Sequence, residues 1–128
     1  MVSKMLHTCL RVENLEASIT FYKDAFGFKE LRRRDFPKYD FTIVYLGLDG
    51  DDYELELTYN YNHGPYTIGD GFAHVALSTP NLEKLHEEHQ AKGYEVTEPK
   101  GLPGNPPNYY FIKDPDGYKV EVIQENSL

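Results

Sequence analysis

The stretch that decides the fold is LHTCLRVENLE (Leu6–Glu16), because it recurs later in the chain as AHVALSTPNLE (Ala73–Glu83). Two further matches follow in the same order and at nearly the same separation: AFGF with AKGY (Ala25–Phe28, Ala91–Tyr94) and DGDDYELEL with DPDGYKVEV (Asp49–Leu57, Asp114–Val122). Ordered matches at a near-constant offset indicate an internal duplication. We predict one domain made of two repeats, about 1–62 and 70–128, joined by the polar connection His63–Gly71.

Each repeat has the pattern strand, helix, then three strands. In the first repeat, Asn14 and Gly27 are suited to begin and end a helix over Leu15–Phe26, with Leu15, Ile19, Tyr22 and Phe26 on its buried face. The strands are predicted at Leu6–Val12, Lys29–Arg34, Thr42–Leu48 and Tyr53–Tyr59.

The second repeat carries the same signals, with Asn81 and Gly93 at the ends of a helix over Leu82–Lys92. Its strands are predicted at Phe72–Ser78, Glu95–Glu98, Tyr109–Lys113 and Lys119–Gln124. Asp-Gly pairs at 49–50 and 116–117 favour turns between the last two strands of each repeat. The fold class is therefore α+β, with two β-α-β-β-β units.

Composition limits the function. The chain has 128 residues and a net charge of −8, which disfavours binding to nucleic acid or to anionic membranes. No apolar run is long enough to span a bilayer, and the first residues lack the pattern of a signal peptide. The single cysteine, Cys9, cannot form an internal disulfide and suits a reducing compartment. We expect a cytoplasmic protein.

Alternation along the strands places one histidine and at least one glutamate on the polar face of each repeat. His7 lies on the first strand, and Glu54 and Glu56 share a face on the last strand of that repeat. His74 and Glu121 occupy the equivalent places in the second repeat. Two imidazoles and two carboxylates suit a divalent first-row metal and leave room for further ligands.

At these residues the chain resembles glyoxalase I (lactoylglutathione lyase) of the vicinal oxygen chelate superfamily. The strings that carry the resemblance are LHTCLRV, ELTYN, FAHVAL and DPDGYKVEV, and it covers nearly the whole chain. It implies a curved mixed sheet that forms a groove, and it selects Glu56 rather than Glu54. The implied metal ligands are His7, Glu56, His74 and Glu121.

The resemblance also implies a reaction. The family isomerises the hemithioacetal of methylglyoxal and glutathione to S-lactoylglutathione, through an enediolate stabilised by the metal. Glu121 is the implied base that moves the proton, with Glu56 as the alternative, and Arg11 and Asn60 match positions that contact glutathione. Nickel is the preferred metal, with cobalt or zinc as alternatives. A homodimer is expected, with each site combining His7 and Glu56 of one chain with His74 and Glu121 of the other.

Two departures leave the thiol open. Asp70 stands where some family members have a basic residue, and the loop from Lys100 to Tyr110 is unusually rich in proline. Other members of the fold remain alternatives: an epimerase such as methylmalonyl-CoA epimerase, an extradiol dioxygenase, or a metal-free resistance protein. The usual ligand set of that epimerase has Gln at the position of Glu56, and the dioxygenase needs only one carboxylate.

The remaining polar residues have simpler interpretations. His86 and His89, one turn apart among glutamates, are expected on a solvent-facing side of the second helix. His63 and the run Arg32–Arg34 are expected at the surface, and Cys9 is expected to fill a small apolar space beside His7.

Overall fold

The computed structural model describes residues 1–127 and divides the chain into two compact units. The first is Met1–Thr67, and the second begins at Ile68. Each unit combines one helix with a mixed sheet, which confirms the predicted α+β class.

The first unit contains a four-stranded sheet with the order β1-β4-β3-β2. β1 pairs parallel with β4, and the other two pairings are antiparallel. A short 3₁₀ turn (Pro37–Tyr39) separates β2 from β3. The elements are β1 (His7–Arg11), α1 (Leu15–Phe26), β2 (Lys29–Phe36), β3 (Phe41–Gly47) and β4 (Glu54–Asn60).

Helix α1 has the predicted bounds, and both predicted end residues act as such. The side chain of Asn14 accepts a hydrogen bond from the backbone N–H of Ala17 at 3.0 Å. Gly27 takes the left-handed conformation (φ 81°) that ends the helix, and its N–H donates to the carbonyl of Lys23. The buried face is centred differently from the prediction, on Leu15, Ser18, Phe21, Tyr22 and Ala25. It packs on one face of the sheet, so the opposite face of β1 and β4 is left for polar side chains.

The second unit contains a three-stranded sheet with the order β5-β7-β6. β5 pairs parallel with β7, and β6 pairs antiparallel with β7, so the arrangement of β1, β4 and β3 is repeated. The elements are β5 (Val75–Thr79), α2 (Leu82–Ala91), β6 (Tyr109–Lys113) and β7 (Lys119–Gln124).

Two strand predictions for the second repeat are wrong. The first strand begins at Val75 instead of Phe72, so His74 lies just before it. The strand predicted at Glu95–Glu98 is reduced to one isolated bridge, between Val96 and Ile112, and a second isolated bridge joins Lys100 to Tyr109 just beyond it. Pro99 follows the predicted strand directly, and three more prolines lie between 103 and 107. Because proline has no backbone N–H to donate, a regular strand cannot continue through this segment.

The prediction for His86 and His89 is also wrong, because both side chains are buried, with 6% and 1% of their surface exposed. His89 Nδ1 lies 2.8 Å from the hydroxyl of Tyr110, and His86 Nε2 lies 2.9 Å from the carbonyl oxygen of Thr97. Burial raises the pKa of Tyr110, with a smaller contribution from Glu88. A buried ring that keeps its polar partners is stable in a core, so the side of α2 that was predicted to face solvent packs inside the protein.

Candidate metal centre

The first candidate pair of ligands, His7 and Glu56, lies on neighbouring parallel strands. The register sets Cys9 of β1 opposite Glu56 of β4, and His7 is two residues before Cys9 on the same face. His7 Nε2 lies 3.2 Å from Glu56 Oε1. The imidazole is 37% exposed and the carboxylate side chain 11% exposed, so both can be reached from solvent while the glutamate is firmly packed.

The second pair, His74 and Glu121, is built in the same way. Ala76 of β5 lies opposite Glu121 of β7, and His74 is two residues before Ala76. His74 Nε2 lies 3.2 Å from Glu121 Oε1, which equals the separation in the first pair. The duplication therefore reproduces the His–Glu geometry as well as the residue types.

An aromatic ring packs against each imidazole. Tyr45 lies opposite Glu56 in the sheet, and its ring centroid is 5.8 Å from that of His7 in an edge-on arrangement. Phe111 lies opposite Glu121 and packs in the same manner on His74, at 5.3 Å. These rings restrict the orientation of both histidines.

Glu56 is surrounded by hydrogen-bond donors. Its Oε2 accepts a hydrogen bond from Thr58 Oγ1 at 2.7 Å and another from Cys9 Sγ at 3.2 Å. Burial acts to raise the pKa of Glu56. The hydrogen bonds from Thr58, Cys9 and Tyr45, together with the charge of His7, outweigh burial and hold the pKa below its usual value. Burial raises the pKa of the Cys9 thiol, in agreement with its role as a donor. Cys9 is thus an exposed polar neighbour of Glu56 and not the apolar filler that was predicted.

Glu54 has a different partner. Its carboxylate accepts two hydrogen bonds from the Arg32 guanidinium, at 2.9 and 2.6 Å, and that guanidinium also lies 4.0 Å above the ring of Tyr45. Glu54 is the strand partner of His7, but its carboxylate is held by Arg32, and the carboxylate in contact with His7 is that of Glu56. Strand alternation alone could not separate these two residues because they share a face.

The donor chemistry of the two pairs fits a divalent first-row cation. Each pair offers one imidazole nitrogen and one carboxylate oxygen, and together they would give the mixed nitrogen and oxygen set that such metals take in proteins. Over residues 1–127, no three His, Cys, Asp or Glu side chains gather closely enough to hold a metal ion. Each pair supplies two ligands, fewer than the three or four protein ligands of a typical zinc site.

The predicted substrate residues lie near the first pair in the sheet. Arg11 is exposed on the His7 face of β1, opposite Thr58. Asn60 follows Glu56 and Thr58 on the same face of β4, and its Nδ2 donates to the Tyr66 hydroxyl at 2.9 Å.

The other residues predicted at the surface are found there. Arg32 and Arg33 form ion pairs at the surface, and His63 is exposed and stacks on Tyr66.

Sequence reasoning missed two features around the second pair. A cavity of about 250 Å³ adjoins Glu121 and is lined mainly by apolar side chains from β6, β7 and the proline-rich loop: Leu102, Tyr109, Phe111 and Ile123, with Asn108. A cavity of about 540 Å³ adjoins His74 and includes Asp70, Lys113 and Lys119. The apolar residues beside Glu121 on β6 and β7 could have indicated an apolar wall there. The path of the proline-rich loop, which closes the cavity through Leu102 and Asn108, could not be predicted from the sequence.

A His–Glu pair at two parallel-paired strands occurs in both units, in β-α-β-β-β order in the first and β-α-β-β in the second. This arrangement is typical of the vicinal oxygen chelate class of fold and site. The chain belongs to the Glyoxalase/Bleomycin resistance protein/Dioxygenase superfamily, whose family model matches residues 4–122. Among residues 1–127, no helix has both the length and the apolar character needed to cross a membrane.

Three relatives illustrate the similarity and confirm the resemblance to glyoxalase I. A lactoylglutathione lyase of Arabidopsis thaliana is 44% identical over 94% of this chain, which spans less than half (44%) of that relative's length. The lactoylglutathione lyase of Escherichia coli O157:H7 is 38% identical over 95% of this chain and 93% of its own length. The solved structure of the trypanothione-dependent glyoxalase I of Leishmania major has a TM-score of 0.86 at 32% identity and covers 98% and 89% of the two chains.

Proposed function

We propose that the protein is a lactoylglutathione lyase. It takes the hemithioacetal formed from methylglyoxal and a thiol and isomerises it to the lactoyl thioester, which detoxifies methylglyoxal. The observation that carries the proposal is the pair of His–Glu contacts at the same 3.2 Å separation in the two units. The full-length similarity to the lyase of Escherichia coli O157:H7 supports it.

In this proposal His7, Glu56, His74 and Glu121 hold one divalent cation, with nickel preferred and cobalt or zinc as alternatives. When bound, the cation supplies Lewis acidity that stabilises negative charge on two neighbouring substrate oxygens. Each pair alone offers two ligands, and the two pairs together would offer four, which is enough for a metal site.

Glu121 moves the proton. Its carboxylate removes the hydrogen from the carbon that carries the sulfur and returns it to the neighbouring carbon, the former ketone carbon. A hydroxyl proton passes in the same direction between the two oxygens, so the product is an isomer of the substrate and no oxidant or reductant is needed. Because the Glu121 side chain is 17% exposed at the edge of a cavity, substrate can approach its oxygens.

Arg11 and Asn60 anchor the thiol in this proposal. The exposed guanidinium of Arg11 can form charge-assisted hydrogen bonds with a carboxylate of a glutathione-like tripeptide, and the amide of Asn60 can donate beside it. Both lie on the strands that present His7 and Glu56, so the thiol would extend along the sheet away from the reacting carbons.

Replacing Arg11 with Met is expected to raise KM for the hemithioacetal by roughly tenfold to a hundredfold, with a smaller change in kcat, because a hydrogen bond to a charged group is worth about 1.5–3 kcal/mol. Steady-state kinetics would measure this. Arg34→Gln is the matched control, since Arg34 is an exposed arginine on β2 whose guanidinium lies over Phe36. Equal KM values for Arg11→Met and the parent would remove Arg11 from thiol binding.

The proposal includes a homodimer with two shared sites and a cytoplasmic location. A twofold dimer would bring the first unit of one chain to the second unit of its partner and so complete the four ligands. The single cysteine, which cannot form an internal disulfide, suits a reducing compartment.

The decisive experiment removes all metal with a chelator, reconstitutes the protein separately with nickel, cobalt and zinc, and follows thioester formation in the ultraviolet. Glutathione and trypanothione are compared as thiols, because the relative from Leishmania major is trypanothione-dependent. We expect no turnover in the apoprotein and full turnover with at least one metal. Failure to bind any metal stoichiometrically would instead favour a small-molecule binding protein, and metal binding without thioester formation would favour an epimerase or dioxygenase.

A further inference from the structure

The two glutamates of the candidate metal centre have different surroundings, although their contacts with histidine match. Around Glu56, hydrogen-bonding side chains lie two residues further along its strand (Thr58) and opposite it on both neighbouring strands (Cys9 and Tyr45). At the equivalent positions around Glu121 stand Ile123, Ala76 and Phe111, none of which has a polar side-chain atom. The duplication therefore kept the two carboxylates and changed the side chains around them.

We propose that Thr58, assisted by Cys9, is a positioning residue that confines Glu56 to holding the metal and leaves Glu121 as the carboxylate free to move a proton. The inference rests on the proposed function and deepens it, because it gives a structural reason for the division of labour between two equivalent residues.

Both carboxylate oxygens of Glu56 are held by neighbouring side chains. With Oε2 held by Thr58 at 2.7 Å and by Cys9 at 3.2 Å, and Oε1 beside His7 at 3.2 Å, both oxygens of Glu56 have partners. Rotation of this carboxylate would break at least two of these contacts. Hydrogen bonds from neighbouring side chains orient metal ligands and tune their affinity in the same way in other sites.

Glu121 has the opposite surroundings. Its Oε1 lies beside His74, and Phe111 and Ile123 line the same small cavity with it. No hydrogen-bonding side chain stands at the three positions that hold Glu56 in place, so its carboxylate can turn towards a substrate carbon without losing such bonds. A carboxylate that accepts and releases a proton needs this freedom.

Two single substitutions test the proposal in opposite directions. Thr58→Val removes the hydroxyl with little change in shape, and we expect it to weaken binding of cobalt or nickel by about tenfold to a hundredfold, measured against a chromophoric chelator. Ile123→Thr adds a hydroxyl beside Glu121, and we expect it to lower kcat by about tenfold or more while metal affinity is kept or improved. The visible spectrum of the cobalt-loaded protein should change in Thr58→Val.

The controls separate positioning from general damage. Thr58→Ser keeps the hydroxyl and should restore metal affinity. Thr42→Val makes the same substitution in β3 at a buried threonine that bonds Asp35 and Tyr61, and it should leave metal affinity unchanged. Metal affinity within twofold of the parent in Thr58→Val, or an unchanged kcat in Ile123→Thr, would overturn the inference. The metal measurement needs no turnover, so weaker binding in Thr58→Val without thioester formation by the parent would contradict the proposed function and leave the positioning role intact.

Discussion

Glu121→Gln is expected to lower kcat by about 10²–10⁴, the usual contribution of a positioned general base. The amide has nearly the same size as the carboxylate and keeps an oxygen that can bind a metal, but it cannot accept the proton. We therefore expect reduced but measurable metal content together with nearly complete loss of turnover. Metal analysis and the thioester assay on the same sample would separate the two effects.

A matched control for this variant is Glu125→Gln, because Glu125 follows β7 and is exposed to solvent. It should keep parental activity and metal content. Full turnover in Glu121→Gln would exclude Glu121 as the base, and near-complete loss in Glu56→Gln alone, with metal retained, would then assign that role to Glu56.

Mixing two inactive variants is expected to restore activity if the sites are shared between chains. One variant carries His7→Ala and the other Glu121→Gln, so each lacks one of the two pairs. In a mixed dimer one site receives both defects, while the other receives an intact first unit from one chain and an intact second unit from its partner. Random exchange should therefore restore about a quarter of the parental activity in a twofold dimer.

The control for this experiment is each variant refolded alone, which should stay inactive. Native mass spectrometry would establish that mixed dimers form. Mixed dimers without activity would show that each site draws all of its ligands from one chain, whereas a monomeric protein with full activity would exclude the shared site at once.

The sequence was most informative where the duplication gave two independent readings of the same pattern. Helix α1 has its predicted bounds because Asn14 and Gly27 act locally: the Asn14 side chain caps the first turn, and Gly27 adopts the left-handed conformation that ends the helix. Strands β6 and β7 also have their predicted bounds. Strand alternation and the match between the repeats placed one histidine and at least one glutamate on the polar face of each repeat, and the resemblance to glyoxalase I selected Glu56 over Glu54.

The predictions that were wrong or missing concern residues whose surroundings are set by contacts between distant parts of the chain. His86 and His89 looked solvent-facing because their neighbours in sequence are glutamates, but Tyr110 and the carbonyl of Thr97 supply buried partners that only the fold reveals. The side chains around Glu56 were missed for the same reason: Thr58 is visible from alternation, but the positions of Cys9 and Tyr45 depend on the register between strands. Geometry distinguishes Glu54 from Glu56 as the candidate metal ligand only once the position of Arg32 is known, because Arg32 binds the carboxylate of Glu54.

The equal His–Glu spacing in the two units also bears on descent. A primitive gene encoding a single β-α-β-β-β module would have had to assemble with copies of itself to collect four donors, and every glutamate in such an assembly would have been chemically equivalent. Tandem fusion removed that constraint, since mutations could then accumulate beside one carboxylate without touching its twin. The two halves could thus become specialised only after they were joined in one gene, because identical self-associating copies must carry the same substitutions.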